Sequence, residues 1–156
     1  KEIEKAGSKK VGLKKGQKIL IGKNLQFQVL APIEDFEGKE VKDTNTSSLV
    51  LRMICGQNEF LFTGDAPKSI EKQLVKNNEL LKSDVLKISH HGSQTSTTEE
   101  FLEKVKPEIA VISVGKDNRY GHPAKEVLER LEKYGIKVMR TDEVGDIRIF
   151  SDGNKL

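Results

Sequence analysis

The sequence predicts an α/β fold of the α+β type, in which helices flank a mixed β-sheet. Short apolar runs bounded by Gly, Asn or Pro fill the first half of the chain, as is typical of strands joined by tight turns. Beyond Asp65, apolar residues recur at helical spacing and alternate with compact apolar runs. This order indicates a mixed sheet that is covered by helices on one side.

Each predicted strand is a short apolar or alternating run. The predicted strands are residues 18–21, 25–30, 48–54, 59–62, 85–88, 109–114, 137–139 and 146–150. In the last run Ile147 and Ile149 lie on one side and Arg148 on the other, which suits a terminal strand with one wet face. Helices are predicted where apolar residues recur every three or four positions, around residues 70–75, 101–105 and 127–134.

The length of 156 residues fits a single domain over residues 1–156, with residues 1–16 as an exposed, lysine-rich leading segment. The polar loop 31–47 should lie on the surface. No stretch reaches the roughly 18 consecutive apolar residues of a membrane span. The net charge of +3 permits an anionic partner without requiring one. The single cysteine, Cys55, is predicted to be buried, and it excludes an internal disulfide and a cysteine-built zinc site.

All three histidines fall in two short segments that directly follow predicted strands. His90 and His91 come after the run 85–88, and His122 lies between the run 109–114 and the next helix. Asp65 follows the strand 59–62. Ligands in α/β sheets bind at the carboxyl ends of the strands, so we expect these four side chains to meet at one edge.

Neutral imidazoles and a carboxylate form the ligand set of hydrolytic divalent metals. We therefore predict one or two divalent ions, zinc or manganese, held by Asp65, His90, His91 and His122. Such an ion lowers the pKa of bound water to about 7, and Asp65 would lie between two ions about 3.5 to 4 Å apart. Neighbouring residues at a strand end point opposite ways, so we expect only one of His90 and His91 to contact metal directly, and which one stays open.

Each of these segments also has a purely structural interpretation. Asp65 fits a cap of the helix that begins near Pro67, a His-His pair in a loop is often solvated, and His122 before Pro123 fits the start of a helix. The combination nevertheless favours a metal site, because three separate strand ends carry metal-capable groups and no histidine lies elsewhere.

Hydroxyl side chains between residues 93 and 97 follow the histidines and raise the alternative of a serine hydrolase. The sequence contains no Gly-x-Ser-x-Gly elbow, so serine chemistry is disfavoured. We assign Ser93, Asn118 and Tyr120, which lie close to the histidines in the sequence, to substrate binding.

Five segments in one uninterrupted order make the sequence similar to a known family. They are Asn45-Thr46-Ser47-Ser48-Leu49-Val50-Leu51, Phe62-Thr63-Gly64-Asp65, Asp84-Val85-Leu86-Lys87-Ile88-Ser89-His90-His91-Gly92-Ser93, Ile112-Ser113-Val114-Gly115 with Asn118, and Tyr120-Gly121-His122-Pro123. Together they resemble the metallo-β-lactamase-like domain of ComEC-type competence proteins over residues 16–153. Arg140-Thr141-Asp142 and Gly145-Asp146-Ile147 fit the closing strands of that domain.

The resemblance implies a four-layer αββα metallo-β-lactamase sandwich, of which this chain is the C-terminal half. It also implies a site for one or two metal ions and a role in processing DNA during uptake. Asp65 matches the bridging aspartate of the family, and His90, His91 and His122 match its later site residues. The resemblance is compatible with a parent protein embedded in a bacterial membrane, with this domain on the extracytoplasmic face, and equally with a standalone hydrolase, and the sequence leaves this choice open.

The sequence departs from the family pattern in the motif that supplies most ligands of the first of the two metal ions. Family members carry an earlier motif, His-x-His-x-Asp-His or His-x-Asp-x-Asp-His, whereas no histidine precedes Asp65 in this chain. We therefore expect these residues to be a fragment whose missing N-terminal half supplies further ligands, in cis or as a separate chain. Alone, the chain is expected to bind metal weakly or not at all.

Two classes of function follow from these observations. The first is a metal-dependent hydrolase, a phosphodiesterase or nuclease acting on DNA in competence, with Asp65, His91 and His122 as its catalytic residues. Another phosphoester, a lactone or a thioester would use the same metal site. The alternative is a non-catalytic DNA-guiding or assembly module with a degenerate metal site, which the mild positive charge and the absent upstream ligands favour.

Overall fold

A seven-stranded mixed β-sheet forms the framework of the chain in the computed structural model, which describes residues 5–9, 11–36, 38–77 and 79–156. The strands follow one another across the sheet in chain order, β1 to β7. β1 to β4 pair antiparallel, whereas β4 to β7 pair in parallel. Their bounds are Lys18–Ile21, Leu25–Ala31, Val50–Cys55, Asn58–Phe62, Val85–Lys87, Ile109–Ile112 and Lys137–Arg140.

The helices lie in the second half, where parallel neighbours need crossover connections. Helices α1 to α4 span Lys68–Lys76, Glu99–Val105, Lys125–Lys133 and Thr141–Val144. A short 3₁₀ turn spans Thr44–Ser47, and Ser89–Gly92 forms a turn whose two central residues are not helical. Residues at helical spacing are buried as their period predicts, among them Ile70 and Leu74 in α1 and Leu131 in α3. Thr98 caps the N-terminus of α2, where its hydroxyl accepts a hydrogen bond from the backbone N–H of Phe101.

The two faces of the sheet differ in what covers them. Leu61, Leu86 and Ile112 point towards the helices and share one buried core with residues of α1, α2 and α3. Phe60 and Val111 point to the opposite face and line an open apolar trough of about 600 Å³. A mixed sheet with flanking helices, the predicted fold class, is thus confirmed.

Residues 146–150, predicted to be a terminal strand, form no strand. The alternation behind that prediction is real, because Ile147 and Ile149 are half-buried and Arg148 is exposed. Both isoleucines line the trough together with Leu25 and Met53. The segment therefore packs across the open face of the sheet, and an alternating pattern alone cannot distinguish this from pairing at a sheet edge.

The other predicted strands agree with the structure to within one or two residues at each end. Cys55, predicted to be buried, is only half-buried, since it faces the open trough and not the core. Most of the loop that follows β2 is exposed in its described residues. Within the described ranges, no helix is long and apolar enough to cross a bilayer.

Glu71 places a carboxylate inside the helical layer, where only 1% of the residue is exposed. It accepts hydrogen bonds from the backbone N–H groups of Thr97 at 2.5 Å and Thr98 at 2.9 Å. Burial raises the pKa of Glu71 above its usual 4.5, against the opposing effect of these hydrogen bonds and of the Arg130 guanidinium. Arg130 also donates to the Thr97 carbonyl at 2.5 Å. α1 and α3 are thereby tied to the segment 93–98 that leads into α2.

Replacing Glu71 by Gln should lower the free energy of unfolding by about 1–3 kcal/mol, because an amide N–H₂ would face backbone N–H donors. The raised pKa makes this carboxyl most favourable to folding below pH 4.5 and less so as the pH rises through the folded-state pKa. The difference between the two proteins in urea denaturation should therefore widen from pH 7 towards pH 5. Glu129→Gln, on the exposed side of α3, is the control, and an equal loss in both variants would contradict the role of Glu71.

Candidate metal centre

Three neighbouring parallel strands end at one edge of the sheet and lead directly into the predicted site residues. Phe62 pairs with Lys87 at the ends of β4 and β5, and Lys87 is in register with Val111 of β6. The segments that carry Asp65, the histidine pair 90–91 and His122 therefore leave the sheet at the same edge.

Backbone contacts join the Asp65 turn to the histidine turn. The His90 N–H donates to the Gly64 carbonyl at 3.1 Å. The Ser89 hydroxyl donates to the Ala66 carbonyl at 2.6 Å. Because Gly64 and Ala66 flank Asp65 in the chain, these two bonds set the position of its carboxylate relative to the imidazoles.

The histidine turn has an uncommon backbone conformation. His90 has φ 48° and His91 has φ 56°, both in the left-handed region that favours glycine. Such a conformation costs about 1–3 kcal/mol per non-glycine residue and is concentrated at functional sites. The expectation that the two side chains point opposite ways rested on extended backbone, which this turn does not have. They nevertheless have different partners, since His91 faces Asp65 and His90 faces His122.

His91 and Asp65 form the closest pair of candidate ligands. The His91 Nε2 and Asp65 Oδ1 atoms are 3.8 Å apart, and both side chains are about half exposed. His91 Nδ1 lies 2.6 Å from the Ser113 carbonyl, which can only accept, so Nδ1 carries a hydrogen. In the neutral ring the Nε2 lone pair then faces a carboxylate oxygen. Two such atoms, too far apart for a hydrogen bond, suit a shared cation.

His90 has an unpartnered nitrogen at the same place. Its Nδ1 atom is buried and has no hydrogen-bond partner. An unsatisfied buried polar atom costs about 1–3 kcal/mol, so it needs an explanation. Its ring centroid lies 5.9 Å from that of His122 and 6.3 Å from that of His91. Imidazole nitrogen is a ligand for divalent metals, so a bound ion is one partner that this atom could take.

His122 is held in its neutral form by its surroundings. Burial, and then the neighbouring His90 and His91, lower the pKa of His122 below its usual 6.5. A neutral imidazole is the form that binds metal. Asn118 accepts from the His122 N–H at 2.9 Å and donates to its carbonyl at 2.7 Å, while the Tyr120 ring stacks on the imidazole at 5.9 Å between centroids.

The predicted ligands contact one another only in pairs, and these pairs do not form a complete set of ligands around one point. In the part of the chain that the structure describes, no group of three or more His, Cys, Asp or Glu side chains could hold a metal ion as it stands. Among the predicted substrate-binding residues, Tyr120 is 83% exposed. Asn118 is engaged with the backbone of His122, and Ser93 is buried with its hydroxyl 2.9 Å from that of Thr95.

Lys87 is a site residue that the sequence analysis missed. Its ammonium group donates to the carbonyls of Ile88 at 3.2 Å and Gly64 at 3.5 Å. Burial lowers the pKa of Lys87, and the nearby charge of Asp65 opposes this shift. The available signal was a single cation within the apolar run 85–88. Lys87 thus brings a positive charge to the Asp65 side of the site.

The fold is shared with a solved structure of an inferred metal-dependent hydrolase from Parabacteroides distasonis. The two chains are 17% identical with a TM-score of 0.57, over 90% of this chain and 60% of the other. At this identity the likeness shows the fold alone. A substantial part of that hydrolase therefore lies outside the region that this chain matches.

Curated relatives add a biological context. The chain is 43% identical over 136 residues to ComE operon protein 3 of Bacillus subtilis. It is 41% identical over 125 residues to Competence protein ComA of Neisseria gonorrhoeae and 38% identical over 125 residues to Recombination protein 2 of Haemophilus influenzae. These matches cover 87%, 80% and 80% of this chain but only 17%, 18% and 15% of the relatives. No protein-family model matches. The chain is homologous to one part of these longer proteins.

Replacing Gly92 by Ala should separate the two histidine loops. Gly92 has φ +82°, and an added Cβ would lie 2.6 Å from the Cβ of Pro123, next to His122. We expect a loss of about 1–3 kcal/mol in stability and a change in the His122 NMR resonances, measured by denaturation and by ¹H–¹⁵N spectra of the imidazoles. The control is Gly115→Ala, since an added Cβ there has no neighbour within 4 Å. Unchanged His122 resonances in Gly92→Ala would refute this packing.

Proposed function

We propose that the chain is the C-terminal half of a metal-dependent phosphodiesterase domain that acts on DNA during competence. One observation carries this proposal: the Nε2 atom of His91 faces Asp65 at 3.8 Å, beside two further imidazoles at the carboxyl edge of parallel strands. The relative named as a competence protein supports a DNA context. The fold neighbour, an inferred metal-dependent hydrolase, supports hydrolysis.

Asp65, His90, His91 and His122 would hold one or two divalent ions, zinc or manganese. Oxygen and imidazole ligands bind zinc at about 2.0–2.2 Å, so two donors separated by 3.8 Å can share one ion. The unpartnered Nδ1 of His90 is a further donor. A bound ion supplies the Lewis acidity that makes water nucleophilic towards phosphorus near neutral pH.

The chain's own residues orient these donors. The Ser113 carbonyl fixes the tautomer of His91 and leaves Nε2 as the ligand atom. The lowered pKa of His122 keeps its imidazole neutral, so His122 acts as a ligand better than as a proton donor. Tyr120, exposed beside His122, contacts the substrate. Asn118 and Ser93 hold the two loops from which these groups project.

A missing N-terminal half would complete the site. The trough face of the sheet is apolar and leaves Phe62 37% exposed. Both the fold neighbour and the curated relatives extend well beyond the matched region. We infer that an upstream half of a metallo-β-lactamase sandwich covers this face and supplies the remaining ligands.

Replacing Asp65 by Asn in the complete protein should lower metal-dependent cleavage of DNA at least about 100-fold, because an amide is a weak ligand for zinc or manganese. The measurement is release of labelled nucleotides with added Mn²⁺ or Zn²⁺. Asp146→Asn, a change of the same chemistry at an exposed position, should cleave as the parent does. Full activity in Asp65→Asn would refute the proposed function.

A non-catalytic role in DNA guidance or assembly is the second candidate. The observation in its favour is that no three-member ligand group stands ready among the described residues. In this case DNA binding would be salt-dependent, cleavage would be absent, and Asp65→Asn would change neither. Phosphoester, lactone and thioester substrates offered to the complete protein separate this role from a hydrolase of different specificity.

A further inference from the structure

Tyr120 combines high exposure with a ring contact to a site imidazole. It is 83% exposed, yet its ring lies nearly parallel to the His122 imidazole, at 18° and 5.9 Å between centroids. Offset stacking of this kind is a favoured geometry for aromatic pairs. Phe150 is similarly exposed at 79% but makes no ring contact with another described aromatic residue. Exposure alone is ordinary, so the stacking on a site imidazole is what distinguishes Tyr120.

The loop that carries Tyr120 is anchored on both sides of the ring. The Asn118 N–H donates to the Gly115 carbonyl at 3.2 Å, and the Asn118 side chain bonds both backbone groups of His122. The five-residue stretch from Asn118 to His122 is thus closed by its own hydrogen bonds. The Tyr120 ring lies nearly parallel to the His122 imidazole and is largely open to solvent, which makes an aromatic surface beside the site.

The same loop carries exposed cations. Lys116 and Arg119 are both exposed, and Arg119 directly precedes Tyr120. Single-stranded nucleic acids are bound by aromatic rings that stack on bases together with cations that follow the phosphates. Bases inside a duplex already stack on each other, so an exposed ring favours an unpaired base.

We propose that Tyr120 is a stacking platform for an unpaired nucleobase of single-stranded DNA, next to the phosphate held at the metal centre. This inference rests on the proposed function and narrows its substrate to single strands and frayed ends. Because every base presents a π-face, Tyr120 selects unpaired bases without reading their sequence. Arg119 contacts the adjacent phosphate, and this contact does not depend on the identity of the base.

The test is fluorescence anisotropy of the complete protein with a labelled single-stranded oligonucleotide, the same oligonucleotide with abasic sites, and its duplex, in EDTA. Tyr120→Leu should weaken binding of the base-bearing single strand about 5- to 150-fold, the effect of losing one stacked base. Tyr120→Phe should bind as the parent does. Phe150→Leu, an equivalent change at another exposed aromatic residue, should have no effect.

The other arms separate stacking from charge. Arg119→Gln should weaken the base-bearing and abasic strands equally, whereas Tyr120→Leu should leave the abasic strand unchanged. If Tyr120→Leu binds the base-bearing strand as tightly as Tyr120→Phe, or if the parent does not prefer it to the abasic strand, the platform is refuted. EDTA removes metal from the binding assay, so the binding result does not depend on catalysis. Failure of the complete protein to cleave DNA would refute the proposed phosphodiesterase activity but not the stacking of a base on Tyr120.

Discussion

The parallel, in-register pairing of β4, β5 and β6 is the constraint on which the site depends. These strands pair Phe62 with Lys87 and Lys87 with Val111, so their carboxyl ends share one edge. A slip of one residue would turn each strand's buried side chains to the other face and would move the following loop. The buried core that contains Leu61 and Leu86 opposes such a slip, because the slip would expose these apolar side chains to water. Hydrophobic burial under the helices thereby positions polar groups at the sheet edge.

The strained histidine turn is maintained by contacts on both sides. His90 and His91 adopt left-handed backbone conformations, which are unfavourable for residues with a side chain. The Gly64 carbonyl holds the start of the turn, and Pro123 packs directly on Gly92 at its end. Strain that surrounding structure sustains in this way is a feature of functional sites. The turn directs the two neighbouring imidazoles to different partners, His91 to Asp65 and His90 to His122, although its backbone is not extended.

Much of the framework followed from the sequence, because strands and helices leave periodic apolar patterns and the histidines directly follow strands. The prediction for residues 146–150 was wrong, since an alternating pattern reports one buried face and not the partner that buries it. Lys87 was missed because its role depends on the Gly64 carbonyl, distant in the chain. The tautomer of His91 depends likewise on Ser113. Such details arise from long-range contacts, which no local pattern records.

In the proposed site Asp65 and His91 are joint ligands of one ion, and anomalous X-ray diffraction of Mn²⁺-loaded crystals of the complete protein tests this most directly. We expect an anomalous peak between the Asp65 carboxylate and His91 Nε2, at about 2.0–2.3 Å from each, with His90 or His122 as a further ligand. A well-occupied peak that contacts neither Asp65 nor His91, or a hydrogen-bonded water in that position with no anomalous signal, would contradict it.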